Sequence, residues 1–365
     1  MVQFLLRPSR STLPRALCLA SALLLLGAPS LSAKKTRNPA PTSVPRLELT
    51  GGRQLIYERS FTSEKEVKYR RSFWNKLVDI VAGQPDYHSL VRPYSVVTDS
   101  HDRVIVSDPG ALGVHVFDFV QQKYKFLSRL EGKDLLLAPQ CVAVDKQDNI
   151  YVTDSESGKI FVWEPSGKFR HVIGSLKGGE GYFKRPTGIA VDSDAQRIYV
   201  TDTLRNKIYV MDMNGSVLGT IGKTGAENGQ FNFPTELRLV GSDLVVVDAM
   251  NFRIQVLDRS GVFKYSIGHL GDSRGDFFRP KGVSVDSEGH IYVVEGLNAD
   301  VQVFDDQGRL LYYFGQFGTG PGQFQLPAGL FIDHNDRIFV ADSYNRRVQI
   351  FRYFGLAKPA AGGGP

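Results

Sequence analysis

FKRPTGIAVDSDAQRIYVTDTLRNKIYVMDMNGSVLGTIG, from Phe183 to Gly222, holds four short runs rich in Val, Ile and Tyr. They are GIAVD (Gly188 to Asp192), RIYVTD (Arg197 to Asp202), KIYVMD (Lys207 to Asp212) and SVLGTIG (Ser216 to Gly222). Asp, Asn, Ser and Gly fill the links, as in Asn214-Gly215, which is strand and hairpin chemistry. The stretch therefore predicts four antiparallel strands joined by tight turns.

Its proline is one of a series. Pro93, Pro139, Pro186, Pro234, Pro280 and Pro327 stand 46, 47, 48, 46 and 47 residues apart. After them come YSVVTD, QCVAVD, TGIAVD, TELRLV, KGVSVD and AGLFID, and then VIVSD, IYVTD, IYVTD, LVVVD, IYVVE and IFVAD. A period of this size marks a repeat array, and four strands per repeat is the pattern of a β-propeller blade.

The units resemble NHL repeats. FKRPTGIAVD (Phe183 to Asp192), FRPKGVSVD (Phe278 to Asp286) and IFVADSYNRRVQIF (Ile338 to Phe351) carry the resemblance, which spans nearly all of the chain after its leader. It implies an all-β fold, a six-bladed β-propeller. Some relatives are lyases with a histidine-bound metal at the channel, and some animal relatives bind nucleic acid. Similar secreted bacterial proteins are associated with envelope complexes, including multihaem cytochrome assemblies. Such an architecture hosts many unrelated activities, so function has to be argued from a site.

The ends suggest how the ring is sealed. The sixth unit stops after Arg352-Tyr353-Phe354-Gly355, without an outer strand, while RQLIYERSF (Arg53 to Phe61) has no blade of its own. The N-terminal run is expected to complete the last blade and remove an exposed sheet edge. Between it and the first blade, residues 63–83 read as an inserted amphipathic helix. Ser63 and Glu66 have capping-box spacing, and Phe73, Trp74, Leu77, Val78 and Val81 share a face. That helix packs on the rim or serves as a lid or docking element.

The leader reads as an export signal. Arg7, Arg10 and Arg15 precede the apolar run Ala16 to Leu26 and the small-residue exit GAPSLSA. The expected organisation is a signal peptide over 1–33, a linker over 34–46, the propeller over 47–355 and a disordered tail over 356–365. Residues 1–33 contain three arginines and no acid, so their removal lowers Lys+Arg from 44 to 41 against 38 Asp+Glu. Net charge falls from +6 to +3, weak grounds for a nucleic-acid partner. The run is too short to span a bilayer, so no membrane span is expected after cleavage, and the product would be periplasmic or extracellular. Cys141 then stands alone, without a disulfide partner.

In an up-down-up-down blade, the links between strands two and three share a face with the links between blades. That face carries the proline loops around one mouth of the central channel, where loops on a rigid frame can vary. The candidate binding residues are Arg92, Tyr94, Arg185, Thr187, Thr235, Arg279 and Lys281 beside the prolines, with Asn251, Asn298, Tyr344 and Arg346 in the strand-two to strand-three links. This mouth is basic, fit for an acidic group or for nothing but solvent. Blade four adds Glu236 and Arg238 on one side of an inner strand, either an internal ion pair or a ligand contact in the channel.

Other motifs read as scaffold. Asp154/Lys159, Asp202/Lys207, Asp248/Arg253 and Asp342/Arg347 recur at five-residue spacing, which suggests hairpin-stapling ion pairs. GQFGTGPGQF (Gly315 to Phe324) mimics a phosphate loop, but no helix pattern follows it. The seven histidines fall at different repeat positions, and the acidic links lack calcium-loop spacing, so no metal, cofactor or catalytic set is assigned. The favoured function is an exported, non-enzymatic scaffold for a protein or other envelope partner. The alternative is a metal-dependent lyase or lactonase working at the channel mouth.

Overall fold

A computed structural model describes residues 45–67, 87–128 and 136–356. It is an all-β, six-bladed propeller. Five sheets hold four strands each in simple up-and-down order, and the sixth holds five. The six inner strands are Ser95–Thr98, Pro139–Val144, Pro186–Asp192, Pro234–Val240, Pro280–Val285 and Leu330–Ile332. Each touches the next, and the last touches the first.

Side-chain alternation explains why the blades stack. In blade three Tyr199 pairs with Val210 and Ala190 in the ladder, while Val200 and Ile198 point to the other face. Both faces of every blade are therefore apolar, and the core is split into layers between neighbours. One such layer joins Tyr151, Ile160 and Val162 of blade two to Ile189, Ile198 and Val200 of blade three. Another joins Val245 and Val256 of blade four to Val283, Val293 and Phe304 of blade five. Burying a Val or Ile this way stabilises by roughly 1.5–3 kcal/mol, so each blade depends on its neighbours.

The sixth sheet draws on both ends of the chain. Gln54–Phe61 lies antiparallel to Arg347–Phe354, with Tyr57 opposite Phe351 and Phe61 opposite Val348. Outside it runs a further strand, Arg46–Glu48, pairing Arg46 with Ile56. Sequence reading put residue 46 in a linker, because three exposed residues carry no alternation signal. The inserted helix expected over 63–83 falls largely outside the described residues, as do the signal peptide and almost all of the tail. The described start of that span holds a short 3-10 segment, Glu64–Glu66, where the Glu66 carboxylate accepts from the Ser63 N–H and hydroxyl at 3.1 and 2.7 Å.

Candidate anion-binding mouth

The mouth is built by one recurrent carboxylate. At the end of each second strand stands Asp108, Asp154, Asp202, Asp248, Glu295 or Asp342, each completely buried. Asp108 accepts from the Val91 and Arg92 N–H groups at 2.7 and 2.9 Å, and Asp202 from those of Lys184 and Arg185 at 2.9 Å each. Glu295 does the same for Phe278 and Arg279. A buried apolar anchor three residues before each proline (Leu90, Leu136, Phe183, Phe231, Phe277, Phe324) pins the loop from beneath. Backbone and anchor together leave the residue just ahead of the proline at the rim of the mouth.

Those acids do more than the hairpin stapling expected of them. Asp248 does bind Arg253 at 2.9 Å and Asp342 binds Arg347 at 2.8 Å. Asp202, however, pairs with Arg205 at 3.1 Å, although Lys207 is its ladder partner. A short turn over Thr203–Arg205 brings the arginine round to the carboxylate.

Around the ring the residue before the proline is Arg92, Ala138, Arg185, Phe233, Arg279 and Leu326, so arginine alternates with an apolar side chain. The three arginines, with Lys281, line a cavity of about 290 Å³ to which five blades contribute. Tyr94, Gln140, Ser343 and Tyr344 complete its polar lining, and among the described residues no acidic one belongs to it. None of the four cations forms an ion pair among the described residues. The Lys281 Nζ lies 5.9 Å from the Tyr94 ring centre, and Tyr344 is exposed. Burial, and then the repulsion of Arg279 and Arg185, pull the Lys281 ammonium down to about 8. Burial drives the Tyr94 phenol well above its ordinary range.

The inner strand of blade four carries a buried ion pair. Glu236 and Arg238 are both buried, with Arg238 Nη2 2.6 Å from Glu236 Oε1, an ion-pair contact without hydrogen-bond direction. Arg238 also donates to the Val283 carbonyl of blade five at 3.3 Å and to the Leu330 carbonyl of blade six at 3.1 Å. The guanidinium thus ties blade four to the next two inner strands. Burial pushes the Glu236 carboxyl up to about 7, against the pull of Arg238 and Lys281. This pair is internal and does not line the cavity.

Of the remaining sequence candidates, Thr187 is buried and bonded to the Thr201 and Thr203 hydroxyls at 2.9 and 2.7 Å. Asn251 holds Gly225 O and Asp248, so it serves the scaffold. Thr235 Oγ1 and Asn298 Nδ2 are buried without hydrogen-bond partners among the described residues, outside the cavity lining. Arg346 occupies the tip of a turn with φ of 55°, also outside it. The structure adds Pro109, Gly296 and Ser343 to the lining. Their signal was legible, since each directly follows the strand-two acid.

Other clefts are less selective in charge. One of about 540 Å³ between blades one and two is lined by Asp118, Arg103, Lys123 and Lys125, and one of about 680 Å³ beside the N-terminal strand by Glu48 and Arg53. Among the described residues one trio, Asp99, His101 and Asp148, places metal-ligating atoms within 4.8 Å of one another. Its oxygens are already engaged: Asp99 accepts from Arg103, and Asp148 from the Ser100 hydroxyl at 2.6 Å. Ser287 bonds Asp336 in the same way between blades five and six. The repetition marks an inter-blade latch.

A family model described as 6-bladed beta-propeller matches residues 100–223 and 286–355. No curated protein matches the chain. Among solved structures, virginiamycin B lyase from Staphylococcus aureus is 14% identical, with a TM-score of 0.52 over 72% of this chain and 95% of that one. An auxiliary nutrient binding protein from Bacteroides thetaiotaomicron is 13% identical, with a TM-score of 0.55 over 72% and 69%. Hydrazine synthase of Kuenenia stuttgartiensis is 15% identical, with a TM-score of 0.52 over 72% and 96%. Likeness at this level concerns the fold alone.

Proposed function

The chain belongs to the six-bladed β-propeller family, and on that premise we propose an exported binding protein whose basic mouth holds an anionic group of a protein or other envelope partner. The observation that carries this reading is the convergence of Arg92, Arg185, Arg279 and Lys281 on one cavity without a lining acid. Cations left without counter-charges on a rigid rim raise the local concentration of anions and favour their docking. The leader with its arginines and apolar run supports export, and NHL-like repeats support a scaffold role. The N-terminal strand seals the ring in this reading by completing the sixth sheet, so deleting residues 46–61 should lower the melting temperature and promote association.

The mouth is tested with a fluorescent oligoglutamate peptide. Arg185→Glu combined with Lys281→Glu should weaken its binding about tenfold or more, with a shallower salt dependence. Equal affinity in the variant and the parent protein would move the site to another surface.

A further inference from the structure

We propose that Lys281 is a carbonyl-capturing amine, so that the mouth reversibly takes small oxo acids, their carboxylate on Arg185 and Arg279 and their carbonyl carbon on the lysine nitrogen. The inference rests on the mouth being an anion site, and it specifies the ligand class.

Three features of the cavity converge on it. Lys281 is the one primary amine in the lining, and it is half-buried. Two guanidiniums sit close enough to act on it, and a planar fork is the group best shaped for a carboxylate. A cavity of about 290 Å³ suits a molecule of a few heavy atoms. The groups facing the amine are Arg279 in the loop just ahead of its strand, Arg185 from blade three, Tyr94 from blade one, Cys141 from blade two and Glu236 from blade four. Cationic neighbours and burial both favour the neutral amine, and a lysine so placed is a competent nucleophile at neutral pH.

The chemistry balances without an added redox partner. The nitrogen lone pair forms a C–N bond to the carbonyl carbon. The carbonyl oxygen then leaves as water, carrying both amine hydrogens, and a C=N bond remains. Hydrolysis reverses the step.

Glyoxylate and acetaldehyde, two-carbon probes with and without a carboxylate, distinguish this chemistry from ordinary lysine reactivity. Sodium cyanoborohydride fixes the imine as a secondary amine, and peptide mass mapping reads the site. With glyoxylate, Lys281 should be labelled about tenfold or more faster than the exposed Lys177 and Lys223, since each unit of lowered pKa raises the free-amine fraction about tenfold. The rate should climb with pH to a half-maximum near 8. Arg185→Gln should slow glyoxylate labelling about tenfold more than acetaldehyde labelling, which falls only as far as the lost repulsion of Arg185 lets the lysine hold its proton. Labelling of Lys281 no faster than Lys223, or glyoxylate and acetaldehyde labelling slowed equally by Arg185→Gln, overturns the proposal. Oligoglutamate binding that still responds to charge reversal would then leave the anion-binding mouth standing.

Discussion

Lys281 and His290 sit at opposite ends of one hairpin in blade five, and their basic groups are shifted in opposite directions. His290 is raised, first by its hydrogen bond to Asp286 at 2.8 Å. Lys281 is lowered to about 8, by burial and by the cations beside it. At the far face charge is spent on the frame: Asp286 also accepts the His290 N–H at 2.9 Å and the Tyr292 hydroxyl at 3.1 Å. At the mouth it is unspent. The difference teaches where this propeller carries scaffold and where it carries a site, although both faces are rich in charged residues.

The largest break in that contrast comes from the buried ion pair of blade four. Arg238→Met leaves Glu236 buried without its counter-charge and should cost about 3 kcal/mol at pH 8. The loss should shrink at pH 5, where the carboxyl is neutral, and denaturant melts at the two pH values read it. Next, Asp286→Ala strips partners from His290, Tyr292 and the hairpin backbone, and should cost about 2 kcal/mol. Its melting temperature should fall while oligoglutamate binding holds, because the mouth is at the other end.

Two smaller effects are slopes with pH. Glu236 has a folded value near 7 against an ordinary 4.5, so the folded state binds the extra proton between them. Stability should decline as pH rises from about 4.5 to about 7, and Glu236→Gln should flatten that decline. For Lys281 the unfolded chain binds the extra proton between about 8 and the ordinary 10.5. Stability should therefore rise with pH across that window. Lys281→Met should abolish the rise and raise stability at pH 7, where the half-buried ammonium carries its full penalty. A variant that keeps the rise would assign it to another group.

The blade count and the strand boundaries were legible because they depend on local alternation and on prolines at a steady period. The basic mouth was legible in part: Arg92, Arg185, Arg279 and Lys281 could be placed on one face from the repeat register alone. Glu236 and Arg238 could be put on a shared strand side, yet whether they met each other or solvent could not be decided. Their environment is made by carbonyls of blades five and six, Val283 and Leu330, distant in the chain. Asn251 and Thr187 misled for a related reason, since a polar side chain reads the same in the sequence whether it is free, holds a buried carboxylate or bonds a buried hydroxyl.

What the amino-acid order determined by itself is the repeat, its four-strand unit and the face on which each loop emerges. These are set by neighbours a few residues apart. The tertiary structure alone decided which charges are left unpaired, since six loops more than forty residues apart must meet before any counter-ion is gained or lost. Burial and Coulomb interaction act through space, and the lowered ammonium of Lys281 comes into being only when the ring assembles.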